Sequence, residues 1–114
     1  MANLASTEIM RVLVVDDQQI LRDGLTALLE LEDDVEIAGV ASNGLEALEL
    51  AQTTSADVVL MDVRMPVMDG IETTRNFVGQ GGPPVVLLTT FEEVEDMTGG
   101  LNAGAHGYLF KSAT

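Results

Sequence analysis

No cysteine occurs in the 114 residues, which removes disulfides, thiol catalysis and cysteine-bound metal from consideration and favours a reducing compartment. Bases are scarce: five Lys and Arg stand against 19 Asp and Glu, a formal charge of −14. Direct nucleic-acid binding by this segment would therefore work against phosphate repulsion rather than gain from counterion release. Such a balance suits basic patches on proteins, or a divalent cation. No apolar run approaches the roughly 18 residues that a membrane helix requires. The N-terminal Met-Ala-Asn-Leu-Ala-Ser-Thr-Glu also lacks the basic region and apolar core of a signal peptide. The expectation is a cytoplasmic protein with no membrane contact. The single histidine, His106, stands between Ala105 and Gly107 in a turn, where a solvent-facing loop residue is a better reading than a phosphorelay histidine.

What the chain does have is apolar runs that end in acids. With 46% apolar residues over this length, one domain with one core is expected. Val58-Val59-Leu60-Met61 runs into Asp62, and Pro66 then stops regular structure. A run of this kind fits a strand buried on both faces, as in a parallel sheet covered by helices. Ile9 to Val15 repeats the device and ends in Asp16-Asp17. From Gln18 to about Glu32, Ile20, Leu21, Leu25, Leu28 and Leu29 fall on one helix face. Val35 to Val40 reads as a second strand, and Asn43-Gly44 opens a second helix that ends near Thr53. The third strand is predicted over Asp57 to Met61. Asp69-Gly70-Ile71-Glu72 resembles a capping box that starts a third helix reaching Val78, and the segment from Gly79 to Pro84 breaks it. Val85 to Leu88 is a fourth strand, ending in Thr89-Thr90. A fourth helix from Glu92 to Asn102 contains Gly99-Gly100, each glycine costing about 0.8–1 kcal/mol relative to alanine, and is the weakest of the set. Gly107 to Phe110 is the fifth strand and ends at Lys111.

Strand and helix alternate with short loops, the pattern of a parallel sheet covered on both faces. The predicted fold is α/β, a doubly wound five-stranded parallel sheet of order 2-1-3-4-5. In that order the first and third strands are neighbours, and a crevice opens at their carboxyl ends. Asp16, Asp17 and Asp62 are thereby predicted to meet. Three carboxylates in one pocket repel unless protons or a cation compensate, and magnesium, which takes oxygen ligands from carboxylates and phosphates, is the economical solution. Asp62 is also a candidate nucleophile, because an aspartate can accept a phosphoryl group as an acyl phosphate. Thr89 and Lys111 add a hydroxyl and an ammonium at the same rim, a sufficient set for phosphoryl transfer, which is mostly positioning and charge stabilisation.

These residues carry a resemblance. Asp16-Asp17, Met61-Asp62-Val63-Arg64-Met65-Pro66 with Asp69-Gly70, Leu88-Thr89-Thr90, and Ala103-Gly104-Ala105-His106-Gly107-Tyr108-Leu109-Phe110-Lys111 together resemble the receiver domain of bacterial two-component response regulators. The match covers nearly the whole chain, and its wording is similar to regulators with a LuxR-type helix-turn-helix output domain. The resemblance implies a flavodoxin-like receiver in which Asp62 takes a phosphoryl group from a sensor histidine kinase. It implies magnesium held by Asp17, Asp62 and the Arg64 carbonyl, with Asp16 acting through water, while Thr89 and Lys111 hold the phosphoryl oxygens. Thr89 and Tyr108 would be the switch, shifting the face of the fourth helix and fifth strand. The chain would not be a conventional enzyme, only a domain that catalyses its own phosphorylation.

The chain departs from the family pattern in three places. Gln18 stands where many members carry His, Ser112 replaces the proline after the lysine, and no fifth helix follows the last strand. The expectation is a C-terminally truncated receiver over residues 1–114, cut from a longer regulator whose DNA-binding output domain is absent. One sheet face would then expose apolar surface, and a homodimer or domain swap would cover it. Two enzyme or cofactor readings fit less well. A haloacid dehalogenase-type phosphatase needs an aspartate where Arg64 stands, and a nucleotide-binding module needs a glycine-rich loop where Asp16-Asp17-Gln18-Gln19 stands. A phosphorylation-independent interaction module of receiver fold is the remaining alternative.

Overall fold

Runs of valine and leucine leave a strand no polar face to turn to water, so such strands settle in the middle of a covered parallel sheet. The computed structural model describes residues 8–90 and 96–110. Its strands are β1 (Met10–Val15), β2 (Val35–Ala41), β3 (Val58–Asp62), β4 (Val85–Thr89) and β5 (Gly107–Phe110). All pairings are parallel, and the order across the sheet is β2-β1-β3-β4-β5, as the sequence predicts. The helices are α1 (Gln19–Glu30), α2 (Gly44–Thr53), α3 (Gly70–Gly79) and α4 (Asp96–Ala103). The predicted start of the fourth helix, Glu92, and the predicted Lys111 and Ser112 lie outside the described residues. Among the described residues no helix is long and apolar enough to cross a membrane.

Several boundaries shift by a residue or two from the sequence reading, and three of these shifts bear on the site. β3 begins at Val58 rather than Asp57, because the Asp57 carboxylate instead accepts the Arg11 backbone N–H at 2.8 Å and ties the start of β1 to its neighbour. At its other end β3 includes Asp62, which pairs with Leu88. Thr89 likewise belongs to β4, paired with Phe110. Two helix starts carry side-chain caps, whereas Gln18 ahead of α1 makes none. Asn43 Oδ1 accepts the Glu46 N–H at 2.8 Å ahead of α2, and Asp69 Oδ1 accepts the Glu72 N–H at 2.8 Å ahead of α3.

Alternation along the strands divides the apolar residues between two faces. Leu13, Val15, Val59, Met61, Val85 and Leu87 pack with Ala47 and Leu48 of α2 and with Phe77 of α3 in one buried core. The other face is thinly covered. No residue of α1 is fully buried, and Ile20 and Leu28 are 86% and 65% exposed. Between α1 and the sheet lies an apolar groove of about 440 Å³, lined by Leu25, Leu29, Leu60, Leu88, Leu109 and Phe110 among others. The periodicity of α1 was legible in the sequence, while the depth of its burial was not.

The glycine pair in α4 has a packing reason that propensity misses. Gly100 is buried, and a Cβ there would lie 1.7 Å from the Tyr108 hydroxyl oxygen and 2.7 Å from Leu87 Cδ1. Tyr108 can therefore lie flat against α4 and donate its hydroxyl to the Met97 carbonyl at 3.0 Å. At Gly99 a Cβ would touch only Ile71 Cδ1, at 3.3 Å, the movable end of a side chain. Gly100→Ala is expected to destabilise the chain by about 1–3 kcal/mol through overpacking, whereas Gly99→Ala is expected to be neutral or stabilising by up to about 1 kcal/mol. Chemical denaturation midpoints of the two variants check the contrast, and equal shifts would contradict it.

Candidate functional site: three carboxylates at the end of β1 and β3

Val15 pairs with Met61, so the residues that follow them, Asp16 and Asp62, stand side by side at the end of the sheet. Carboxylate oxygens of Asp16, Asp17 and Asp62 all lie within 4.8 Å of one another. Asp16 and Asp62 are buried, at 0% and 3% exposure, and Asp17 faces solvent. For the buried pair, two unit charges at this spacing would repel by roughly 1 kcal/mol in water and by about 3–4 kcal/mol at an effective dielectric near 20. The sheet holds them together because separating them would break the burial of the runs that precede them. A hard divalent cation taking one oxygen from each acid suits this donor set, and magnesium prefers such oxygen ligands.

The turn after β1 is braced from two directions. The Gln18 backbone N–H donates to Asp16 Oδ1 at 2.9 Å, and Arg22 Nη1 donates to the Asp16 carbonyl at 2.7 Å. Asp16 is tied to the sheet as well, its N–H donating to the Ala41 carbonyl at 3.1 Å. Sequence reasoning noted Gln18 only as a departure from a family pattern, and it passed over Arg22. Nothing in a linear pattern says that an arginine in the first turn of a helix will reach back to the preceding strand.

The other predicted residues fall as follows. Arg64 stands two positions beyond Asp62, with an exposed side chain. Thr89 is fully buried on β4, one residue past the Leu88 that pairs with Asp62, and its hydroxyl donates to the Thr90 carbonyl at 3.3 Å. Tyr108 is half-buried on β5 and held to α4, away from the acids. Lys111 lies outside the described residues, though β5 runs toward the same rim. His106 is exposed, and its backbone N–H donates to the Val85 carbonyl at 2.8 Å at the opposite end of β5 from Phe110.

The loop from Asp62 to α3 is held close to the acid. The Gly70 N–H donates to the Val63 carbonyl at 2.7 Å, and a Cβ on Gly70 would lie 2.3 Å from the Asp62 carbonyl oxygen. Only glycine lets the helix start this near. Within the loop, the Met68 N–H donates to the Pro66 carbonyl at 2.8 Å, a three-residue γ-turn whose centre, Val67, has φ +73°. A β-branched residue there is strained. In the turn between β2 and α2, the Glu46 carboxylate accepts the Ser42 N–H at 2.6 Å and the Ser42 hydroxyl at 3.0 Å. The backbone bond foremost, then the hydroxyl, and least of all the charge of Arg22, hold Glu46 below the usual carboxylate range.

With this geometry in view, the comparisons with known proteins agree. A family model described as the response regulator receiver domain matches residues 12–114. Transcriptional regulatory protein LiaR of Bacillus subtilis is 41% identical over 105 residues, covering 91% of this chain and 50% of that protein. A protein-glutamate methylesterase/protein-glutamine glutaminase of Halalkalibacterium halodurans is 38% identical over 104 residues, covering 90% of this chain and 30% of that enzyme. Among solved structures, the signal receiver domain of NarL from Mycobacterium tuberculosis matches with a TM-score of 0.85 at 35% identity, over 94% of this chain and 87% of that one. The chain spans about half the length of the curated transcriptional regulators it matches.

Two outcomes follow from the site's surroundings. Val67 is 77% exposed, so Val67→Gly loses little packing. Relief of about 1–3 kcal/mol of strain against an unfolded-state entropy cost of about 0.4–1 kcal/mol gives a net stabilisation of about 1 kcal/mol, read as a higher denaturation midpoint. Glu46 is depressed in the folded state, so its contribution is present above its unfolded pKa and lost as pH falls through its lower folded value. Glu46→Gln should therefore melt below the wild type at neutral pH, with the gap closing as the solution is acidified; a gap that stays constant across pH 3 to 7, on the order of the carboxylate range, would contradict that account.

Proposed function

This chain belongs to the response regulator receiver domain family, and on that premise we propose that its Asp62 accepts a phosphoryl group from the phosphohistidine of a sensor histidine kinase. The observation that carries the proposal is the convergence of Asp16, Asp17 and Asp62 at the carboxyl ends of β1 and β3, where doubly wound sheets bind their ligands. In the transfer, the P–N bond of the donor breaks as a P–O bond to an Asp62 carboxylate oxygen forms, and the imidazole leaves. Asp16 and Asp17 stand beside the acceptor. Asp17, Asp62 and the Arg64 carbonyl would hold magnesium, with Asp16 acting through water, and the ion would supply positive charge to offset the approaching anion. The Thr89 hydroxyl and the Lys111 ammonium receive the transferred oxygens. In this reading the chain performs its own phosphorylation and no turnover of an external substrate.

The response regulator receiver domain works as one part of a signalling protein, and the relatives named above carry it beside different partners in one chain. We assign this chain to a longer regulator whose remaining half is an output domain, and the names of its transcriptional relatives favour DNA binding over the methylesterase type. Phosphorylation would then act by shifting an equilibrium between two arrangements of the face formed by α4 and β5, with Thr89 and Tyr108 as the moving pair.

With magnesium and acetyl phosphate, the chain is expected to gain one acid-stable, base-labile phosphoryl group, seen by intact mass, and Asp62→Asn should abolish it. Labelling that survives in Asp62→Asn would sink the assignment. Millimolar magnesium should also raise the unfolding temperature, because the cation binds only the folded site.

A further inference from the structure

Arg22 belongs to none of the roles above, yet its side chain ties α1 to the acid-bearing turn. Its Nη1 reaches back six positions to the Asp16 carbonyl at 2.7 Å, while its own N–H donates to the Gln18 carbonyl at 3.0 Å. Gln18 in turn donates to the Asp16 carboxylate at 2.9 Å. Helix, turn and strand end are thus closed into one hydrogen-bonded loop around Asp16 and Asp17. We propose that Arg22 is a positioning residue for the cation site, clamping the turn between β1 and α1 so that Asp16 and Asp17 stay directed at Asp62.

Two effects of the guanidinium oppose each other. Its charge repels an incoming cation, and its hydrogen bond holds together acids that would otherwise relax apart. Arg22 is half-buried rather than enclosed, so solvent screens its charge. The hydrogen bond is short and charge-assisted, a class roughly twice as strong as a neutral one. Asp17 is exposed, so burial does not hold its carboxylate in place. Bracing therefore outweighs repulsion, which gives the proposal a sign: removing Arg22 weakens cation binding, although a positive charge has been taken away.

The inference rests on reading Asp16, Asp17 and Asp62 as a magnesium site, and the test separates the two. Magnesium chloride is titrated calorimetrically into the 114-residue chain, wild type and variants. Arg22→Ala is expected to raise the magnesium Kd about tenfold, the equivalent of one charge-assisted hydrogen bond. Arg22→Lys, which keeps the charge, the reach and one donor, should recover most of the affinity. An Arg22→Ala Kd equal to or below that of the wild type overturns the proposal, as would equal weakening in the Ala and Lys variants, which would assign the loss to packing. If Arg22→Ala does not fold in a magnesium-free melt, Arg22→Met, which retains most of the stem, takes its place with the same criteria. Asp62→Asn supplies the control: unchanged affinity there rejects the site, and the clamp with it, whereas affinity lost there but kept in Arg22→Ala rejects the clamp alone.

Discussion

The pairing of Val15 with Met61 is the constraint from which the site follows. A strand's side chains alternate with period two, so a slip of one residue would send Val12 and Val14 to the face now held by Leu13 and Val15, and would part the two acids as well. The register is held by the buried residues on both strands, each of which contributes on the order of 1.5–3 kcal/mol on removal from water. Against several such terms, the few kcal/mol of repulsion between Asp16 and Asp62 cannot move the strands. The core thus enforces a local arrangement of charge that the acids themselves disfavour, and that unfavourable arrangement is what makes the notch receptive to a cation.

Around Asp62 the backbone is equally constrained. Gly70 lets the start of α3 approach the Asp62 carbonyl more closely than any side chain would permit, and the Asp69 cap fixes where that helix begins. The chain between them must then turn within a few residues, and Val67 takes up the turn at positive φ. Strain stored beside a reacting group, and held there by a cap and a close approach, is a common arrangement in functional loops. Here its cause can be named: two anchored ends and too short a connection for an unstrained path.

Between the two faces of the sheet the packing is uneven. Tyr108 and Gly100 fit one another so closely that β5 and α4 are tied by a hydrogen bond and a shared surface, while α1 lies against a groove that leaves Ile20 and Leu28 in solvent. The two faces of the sheet therefore differ in how firmly they are held. The face built on Phe77, Met61 and Leu87 is a closed core. The groove face is where the described residues leave apolar surface open.

Much of this was legible in the linear chain. Apolar runs ending in acids fixed the parallel sheet, its order and the meeting of Asp16 and Asp62, because burial on both faces leaves a strand no freedom of pattern and right-handed crossovers leave few topologies. The caps at Asn43 and Asp69 were readable because they act within three residues of themselves. The strand limits at Asp57, Asp62 and Thr89 were misplaced because they depend on cross-strand partners that no local window contains. For the same reason, the seat of Tyr108 on Gly100 and the reach of Arg22 to Asp16 are invisible in sequence: each joins residues on different elements whose separation is decided only when the sheet and its helices pack. Local chemistry chose the elements and their order; the distances between side chains on different elements were set by close packing, which only the folded whole possesses.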